Sequence, residues 1–185
     1  MSSTALLSTA TMPELRIRKA EASDIRLIQD MAEIAFRQTY RDILSSEQME
    51  YMMDWMYSRE SLSEQMSLGH VFYIAYSGDK ACGYASIVAE TNEGQGTSLF
   101  HLQKLYVLPS DQAKGVGSKL FERIKEHTRE ASRSGKIRIE LNVNRNNPAV
   151  GFYKHLGLEI LREGDFPIGH GFYMNDYIMG MELTV

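Results

Sequence analysis

Hydrophobic and polar residues follow two different periodicities along the first part of the chain. Residues 15–18 (LRIR) alternate apolar and charged side chains, which predicts a β-strand. From residue 25 onward, apolar side chains recur at helical spacing behind Ser23, which predicts a helix with Ser23 as its N-cap. A second helix, capped by Ser45 or Ser46, is predicted to run through Tyr57, and a short third helix is predicted from Ser58 to Leu68.

The middle of the chain changes to strand patterns. Residues 71–75 and 81–89 are rich in β-branched and aromatic residues and flank the turn sequence SGDK, which predicts a hairpin. A glycine-containing loop is predicted over residues 91–97. The next strand is predicted over residues 99–108 and is stopped by Pro109.

The last part of the chain returns to alternating helices and strands. A helix is predicted from Gly115, and Gly135 is expected to end it. Residues 137–143 (IRIELNV) alternate strictly and predict a strand. The sequence Asn147-Pro148 is typical of a helix start, and this short helix is expected to end near residue 157. The remaining strands are predicted over residues 158–162 and 176–183.

This order of elements defines the expected fold class. Antiparallel strands followed by a β-α-β-α-β arrangement predict an α/β (α+β) fold with a central mixed, mostly antiparallel sheet and helices on both faces. We expect a single domain over residues 14–185, preceded by a flexible tail over residues 1–13.

Composition excludes several classes of partner. The 185 residues carry a net charge of −4, which gives no general electrostatic basis for binding nucleic acid or an anionic membrane. No apolar run approaches the ~20 residues of a membrane span. The only cysteine, Cys82, has no partner in the chain for a disulfide, so a reducing, cytoplasmic location is expected.

The sequence DQAKGVGSKL, residues 111–120, indicates a binding site for an anion. Gly115 and Gly117 lie between a predicted strand and a predicted helix, where free backbone N–H groups and the helix dipole favour a phosphate. A tight turn without a ligand is the alternative. The Walker motif is absent, and the dinucleotide motif would need glycine where Leu120 stands.

Two motifs together resemble the GNAT N-acetyltransferase family. The first is QAKGVG, residues 112–117, after an apolar strand, and the second is LNVNRNNPAVGFYKHLGL, residues 141–158. The resemblance implies a GNAT-like fold in which strands 99–108 and 137–143 splay apart to admit acetyl-CoA. The segment GFYMNDYIMGMEL, residues 171–183, resembles the end of polyamine-type members.

The resemblance also implies the residues that bind acetyl-CoA. The pantetheine arm would pair with the strand backbone of Leu105, Tyr106 and Val107, as an added strand does. The Asn that contacts the pantetheine or caps the following helix corresponds to Asn146 or Asn147, depending on the register. The pyrophosphate would bind N–H groups of the turn formed by Gln112, Ala113, Lys114, Gly115, Val116, Gly117 and Ser118.

Two candidates for the chemistry follow from the same resemblance. Tyr153 corresponds to the tyrosine that protonates the departing CoA sulfur, and a phenol can donate at neutral pH. The alternative is a tyrosine that packs beside Phe152. Many members have a glutamate base where this chain has His101, which is a candidate base with a suitable ordinary pKa. A structural histidine and a water relay are the alternatives, and Gln103 is expected on the same face of the strand.

The acceptor is expected to bind near residues 36–58, a segment that mixes carboxylates with aromatic residues. Tyr40, Asp42 and Tyr173 are the candidate substrate residues, since carboxylates suit a cationic amine. An ordinary amphipathic helix or a homodimer interface would produce the same pattern. The five histidines lack zinc-type spacing, so no metal is expected.

The resulting hypothesis is an N-acetyltransferase that moves the acetyl group of acetyl-CoA directly to a primary amine in a ternary complex. The acceptor would be a small molecule, with a polyamine as one option, or a peptide. An acyl-CoA-binding sensor with weak catalysis is the alternative from another functional class. A nucleotide-binding domain is disfavoured by the incomplete dinucleotide motif and the antiparallel first half.

Overall fold

The computed structural model describes residues 13–90 and 96–185. Within them, seven strands form one sheet in the order β1-β2-β3-β4-β5-β7-β6. The strands are β1 Leu15–Lys19, β2 Val71–Ser77, β3 Lys80–Glu90, β4 Thr97–Val107, β5 Lys136–Asn144, β6 Glu159–Gly169 and β7 Phe172–Thr184. The helices are α1 Ile25–Tyr40, α2 Ser46–Tyr57, α3 Arg59–Ser67, α4 Val116–Ala131 and α5 Ala149–His155.

The sheet is mixed, as the sequence predicted. Every neighbouring pair is antiparallel except β4 and β5, which are parallel. The parallel pairing begins at Thr97 with Lys136 and ends at Leu102 with Leu141. Both strands continue beyond that point, so they diverge over the second half of β4. The splayed pair expected from the sequence is therefore confirmed.

Helices cover both faces of the sheet, and each face has its own hydrophobic cluster. On one face, α4 and α5 pack on the strands through buried residues such as Leu120, Ile124 and Tyr153. On the other face, α1, α2 and α3 pack through residues such as Phe36 and Leu62. The amphipathic pattern of each helix explains its position, because the apolar stripe is the surface that is buried.

Several element boundaries differ from the predictions. Ser23 is not the N-cap of α1, because it lies inside a 3₁₀ turn over Ala22–Asp24, which is closed by a capping box between Glu21 and Asp24. Of the two candidate caps of α2, Ser45 is the one that accepts from the Gln48 N–H. Helix α4 ends at Ala131, before Gly135, with Ser132 as its C-cap.

The final hairpin is longer than predicted. Strand β6 continues to Gly169, and β7 already begins at Phe172, so residues 163–175 are mostly paired. The polar and glycine residues of this segment hide its strand character, because β6 is an edge strand whose side chains are largely exposed.

Residues 1–12 of the predicted tail and residues 91–95 of the predicted loop lie outside the described residues.

Candidate active site

A cavity of about 740 Å³ lies where β4 and β5 diverge. Its wall is formed by the end of α1, the second half of β4, the turn before α4, the end of β5 and the start of α5. The cavity results from the topology: two parallel strands that lose their pairing after Leu102 and Leu141 leave a gap between their ends.

A β-bulge in β4 changes which side chains face the cavity and the helices. Ser86 of β3 pairs with Lys104, but Ile87 pairs with Leu102, so Gln103 is an extra residue. Strict alternation would place Lys104 on the α4 face together with Leu102. Because of the bulge, the Lys104 ammonium instead faces α3 and donates to Gln65 Oε1 at 2.6 Å.

The backbone of Leu105, Tyr106 and Val107 lines the cavity. These three residues pair with β3 on one side. On the side toward β5 they lie beyond the last paired residue of that strand. Their outward N–H and C=O groups are therefore available to an extended, amide-containing ligand, as at a sheet edge.

The turn before α4 supplies the second wall of the cavity. Gly115 is the N-cap of α4 and has φ of 77°, a left-handed conformation that glycine adopts without strain. Gly117 has a different role, because a Cβ at this position would be 3.1 Å from Phe152 Cζ of α5. Free N–H groups of the first helical turn face the cavity region and favour an anion there.

Two buried tyrosines approach the cavity from opposite faces of the sheet. Tyr153 of α5 is 7% exposed and lies in the cavity wall. Burial raises its pKa far above the ordinary value, so its phenol stays protonated at neutral pH. Tyr40, at the end of α1, is also in the wall, and its pKa is raised by burial although hydrogen bonding to Tyr106 and Asn147 lowers it.

Asn147 is the asparagine that lines the cavity, and Asn146 is outside its wall. The Asn147 Oδ1 accepts from the Ala149 N–H at 2.9 Å, so this side chain also holds the first turn of α5. Of the two asparagines that the sequence left as alternatives, Asn147 is therefore the one that lies in the cavity wall.

His101 lies outside the cavity wall, at the level where β4 still pairs with β5. Its Nδ1 is 3.4 Å from Glu90 Oε1. Burial lowers the pKa of His101, while the charges of Glu90 and Glu140 raise it. The structure therefore brings Tyr153, but not His101, to the cavity.

Comparison with known proteins identifies the family. The family model described as an acetyltransferase (GNAT) domain matches residues 68–160, half of the chain. The chain belongs to the GNAT acetyltransferase family. The matched segment runs from the start of β2 into β6 and includes the glycine turn, the diverging strands and Tyr153.

Solved GNAT structures share the fold over nearly their whole length. PaiA N-acetyltransferase from Thermoplasma acidophilum, in complex with coenzyme A, is 22% identical with a TM-score of 0.71, covering 92% of this chain and 99% of that one. YncA from Salmonella typhimurium with its cofactor acetyl-CoA is 18% identical with a TM-score of 0.61, covering 93% and 95%. Arabidopsis thaliana Naa50, in complex with the bisubstrate analogue CoA-Ac-MVNAL, is 17% identical with a TM-score of 0.64, covering 90% and 97%.

The other residues predicted for the GNAT site divide between the cavity wall and its surroundings. Gln112, Ala113, Val116 and Ser118 line the cavity, as does the acceptor candidate Asp42. Two further predicted residues, Lys114 and Tyr173, lie outside the wall, as His101 and Asn146 do. The Lys114 ammonium donates to the Ser110 carbonyl at 2.8 Å and contacts Asp111. Tyr173 is 53% exposed, and its carbonyl accepts from the Gln48 side chain.

Sequence reasoning missed several residues of the GNAT cavity. Asn142, on the diverging end of β5, and Gln38, near the end of α1, line the wall. Asp176 of β7 lies behind Asn142 and accepts a hydrogen bond from it. One signal was available for Asp176, since a carboxylate directly before the apolar run Tyr177–Met179 is unusual in a buried strand.

Across 13–90 and 96–185, no helix is both long and apolar enough to cross a membrane. The same part of the chain holds no group of three or more His, Cys, Asp or Glu side chains arranged to bind a metal ion.

Proposed function

We propose that the protein transfers the acetyl group of acetyl-CoA to a primary amine of a small molecule or a peptide, directly and within a ternary complex. The observation that carries this proposal is the cavity where β4 and β5 diverge. It combines an unpaired strand backbone, a glycine turn at a helix N-terminus and a buried tyrosine in one wall.

The donor would bind along the diverging strands. The amides of the pantetheine arm match the backbone groups of Leu105, Tyr106 and Val107, and the pyrophosphate matches the N-terminus of α4. Binding of coenzyme A by PaiA and of acetyl-CoA by YncA supports this assignment, since both share the fold.

Acetyl transfer forms a C–N bond and breaks the thioester C–S bond. The neutral amine attacks the thioester carbonyl, the tetrahedral intermediate collapses, and the CoA thiolate leaves. Tyr153 would give its proton to that sulfur, because burial keeps the phenol protonated. The acceptor ammonium must lose one proton before it attacks, and the new amide nitrogen loses another afterwards. One of these two protons restores the Tyr153 phenol, and the other is released to solvent.

The acceptor would approach from the α1 side. Tyr40 and Asp42 lie in the cavity wall on this side, and the Asp42 carboxylate suits a cationic amine. Naa50 was crystallised with an analogue that joins CoA to a peptide, which supports keeping peptides beside small amines as acceptors.

Two measurements test the proposal in sequence. Calorimetry should show binding of acetyl-CoA and desulfo-CoA, with NAD and ATP much weaker. Release of free CoA thiol should then depend on an added amine. The panel is putrescine, spermidine, tyramine, a peptide with a free N-terminus and a lysine peptide with a blocked N-terminus.

Each outcome has a separate meaning. Amine-dependent thiol release establishes the transferase and selects the acceptor class. Binding of acetyl-CoA with no turnover of any amine would favour the acyl-CoA sensor instead. Absence of binding to both CoA compounds would overturn the assignment of the cavity.

A further inference from the structure

Asp176 is a buried carboxylate that lacks a full set of hydrogen-bond partners. It lies on β7 opposite Asn144 of β5 and is 3% exposed. Its Oδ2 accepts from Asn142 Nδ2 at 3.3 Å. Its Oδ1 is buried and has no partner among the described residues. An unpaired carboxylate oxygen in a protein interior is unfavourable and therefore calls for a functional explanation.

The surrounding charges leave Asp176 only partly neutralised. Arg145 is the nearby cation, but its guanidinium bonds Asp165 and lies 3.9 Å from Glu163, both on β6. Burial raises the pKa of Asp176, and hydrogen bonding from Asn142 and the charge of Arg145 lower it only in part. An additional cation close to Asp176 would thus be stabilising.

The Asn142–Asp176 hydrogen bond fixes the orientation of the Asn142 amide. The amide nitrogen of Asn142 is the atom that faces Asp176, and it donates to the Oδ2 of that carboxyl group. The amide oxygen is consequently left for another donor. Asn142 is exposed and lines the cavity, so a ligand in the cavity can supply that donor.

The position of this pair matches the acceptor side of the cavity. Asn142 is the first residue of β5 beyond the last parallel pair, Leu102 with Leu141. Across the gap lies Tyr40, whose pKa is raised in part by the Asp176 charge. The pair thus faces the end of α1, where the acceptor is expected to enter.

We propose that the Asn142–Asp176 pair forms the subsite that binds the protonated amine of the acceptor. The Asn142 Oδ1 accepts a hydrogen bond from the ammonium group. Asp176 is a positioning residue that fixes the amide and supplies the negative charge. This inference rests on the proposed function and names the side chains that receive the acceptor ammonium.

The test compares Asp176→Asn with Glu182→Gln, which removes an exposed carboxylate from the same strand. The probe is the panel amine with the highest turnover on the wild-type protein. Asp176→Asn should raise KM for this amine about tenfold, because the bound ammonium loses a nearby opposite charge. The Kd for acetyl-CoA should change less than twofold. Asn142→Ala should raise the amine KM similarly, and Glu182→Gln should leave it unchanged.

Thermal stability separates this role from a structural one. An asparagine at position 176 removes a buried charge and can still accept from Asn142, so the Tm of Asp176→Asn should equal or exceed that of the wild type. A lower Tm with an unchanged amine KM would show that the pair only joins β5 to β7, and would overturn the inference. If the wild-type protein acetylates no panel amine, the proposed function fails first and the subsite falls with it.

Discussion

Gly117 of α4 and Phe152 of α5 are in such close contact that a Cβ on Gly117 would be 3.1 Å from the Phe152 ring. Phe152 precedes Tyr153, so this contact fixes the distance between the glycine turn and the candidate acid. The second glycine of the motif is thus explained by helix packing, and the first, Gly115, by its left-handed backbone.

Gly117→Ala is expected to disturb this contact, and Gly151→Ala is its matched control. Both glycines are helical, but a Cβ on Gly151 would have nothing within 4 Å. Gly151→Ala should therefore stabilise the protein by about 0.5–1 kcal/mol. Gly117→Ala should lose that gain through overpacking and bind acetyl-CoA more weakly. Thermal unfolding and calorimetry measure the two effects, and equal gains in both variants would show that Phe152 moves without penalty.

Tyr153→Phe should slow acetyl transfer about 100-fold, the lower range for loss of a general acid. The ring remains, so packing of α5 and the Kd for acetyl-CoA should be nearly unchanged. Steady-state thiol release with the panel amine that the wild-type protein turns over fastest measures kcat, and calorimetry measures the Kd for acetyl-CoA. A variant with wild-type kcat would mean that the sulfur takes its proton from water.

His101→Gln tests the base candidate that the sequence suggested. Because His101 lies outside the cavity wall and contacts Glu90, we expect kcat/KM to stay within about threefold of the wild type. The variant should be assayed from pH 6 to 9. Loss of an ascending limb in the pH profile, together with a large fall in kcat/KM, would restore His101 as the base.

Lys104 is expected to make stability depend on pH in the alkaline range. Burial lowers its pKa to about 7, and within residues 13–90 and 96–185 its ammonium contacts the Gln65 amide oxygen and the rings of Tyr57 and Phe72. The unfolded chain holds this proton up to its ordinary pKa of 10.5. Between these values the unfolded state binds more protons, so stability should rise with pH by up to about 1.4 kcal/mol per pH unit.

The substitution Lys104→Met checks this dependence. Methionine fills a similar volume without a charge, so the variant should be more stable than the wild type at pH 6. The difference should shrink as the pH approaches 10. Denaturant unfolding at pH 6, 8 and 10 gives the comparison, and a constant difference would show that folded Lys104 keeps its proton up to its ordinary pKa.

Local patterns predicted most of the framework. The alternation of residues 137–143 and the helical spacing after Gly115 correspond directly to β5 and α4, because each has one buried face. The long hairpin of β6 and β7 was underestimated, since an exposed edge strand carries no alternation to detect.

The candidate site was predictable only where it depends on local sequence. The glycine turn and Tyr153 belong to continuous motifs, and both line the cavity. The bulge at Gln103 cannot be recognised in the sequence, although it is the reason that Lys104 faces α3. The pairing of Asn142 with Asp176 joins residues far apart in the chain, and only the register of β5 with β7 brings them together.

The separation of the two hydrophobic clusters by the sheet has a consequence for how this protein can be altered. The α4–α5 cluster supports the glycine turn and Tyr153, whereas the α1–α3 cluster supports Tyr40 and the entry side. Substitutions in different clusters share few neighbours, so their effects should add. If acceptor and donor bind as proposed, we expect substitutions on the α1–α3 face to change acceptor preference while donor binding is left intact.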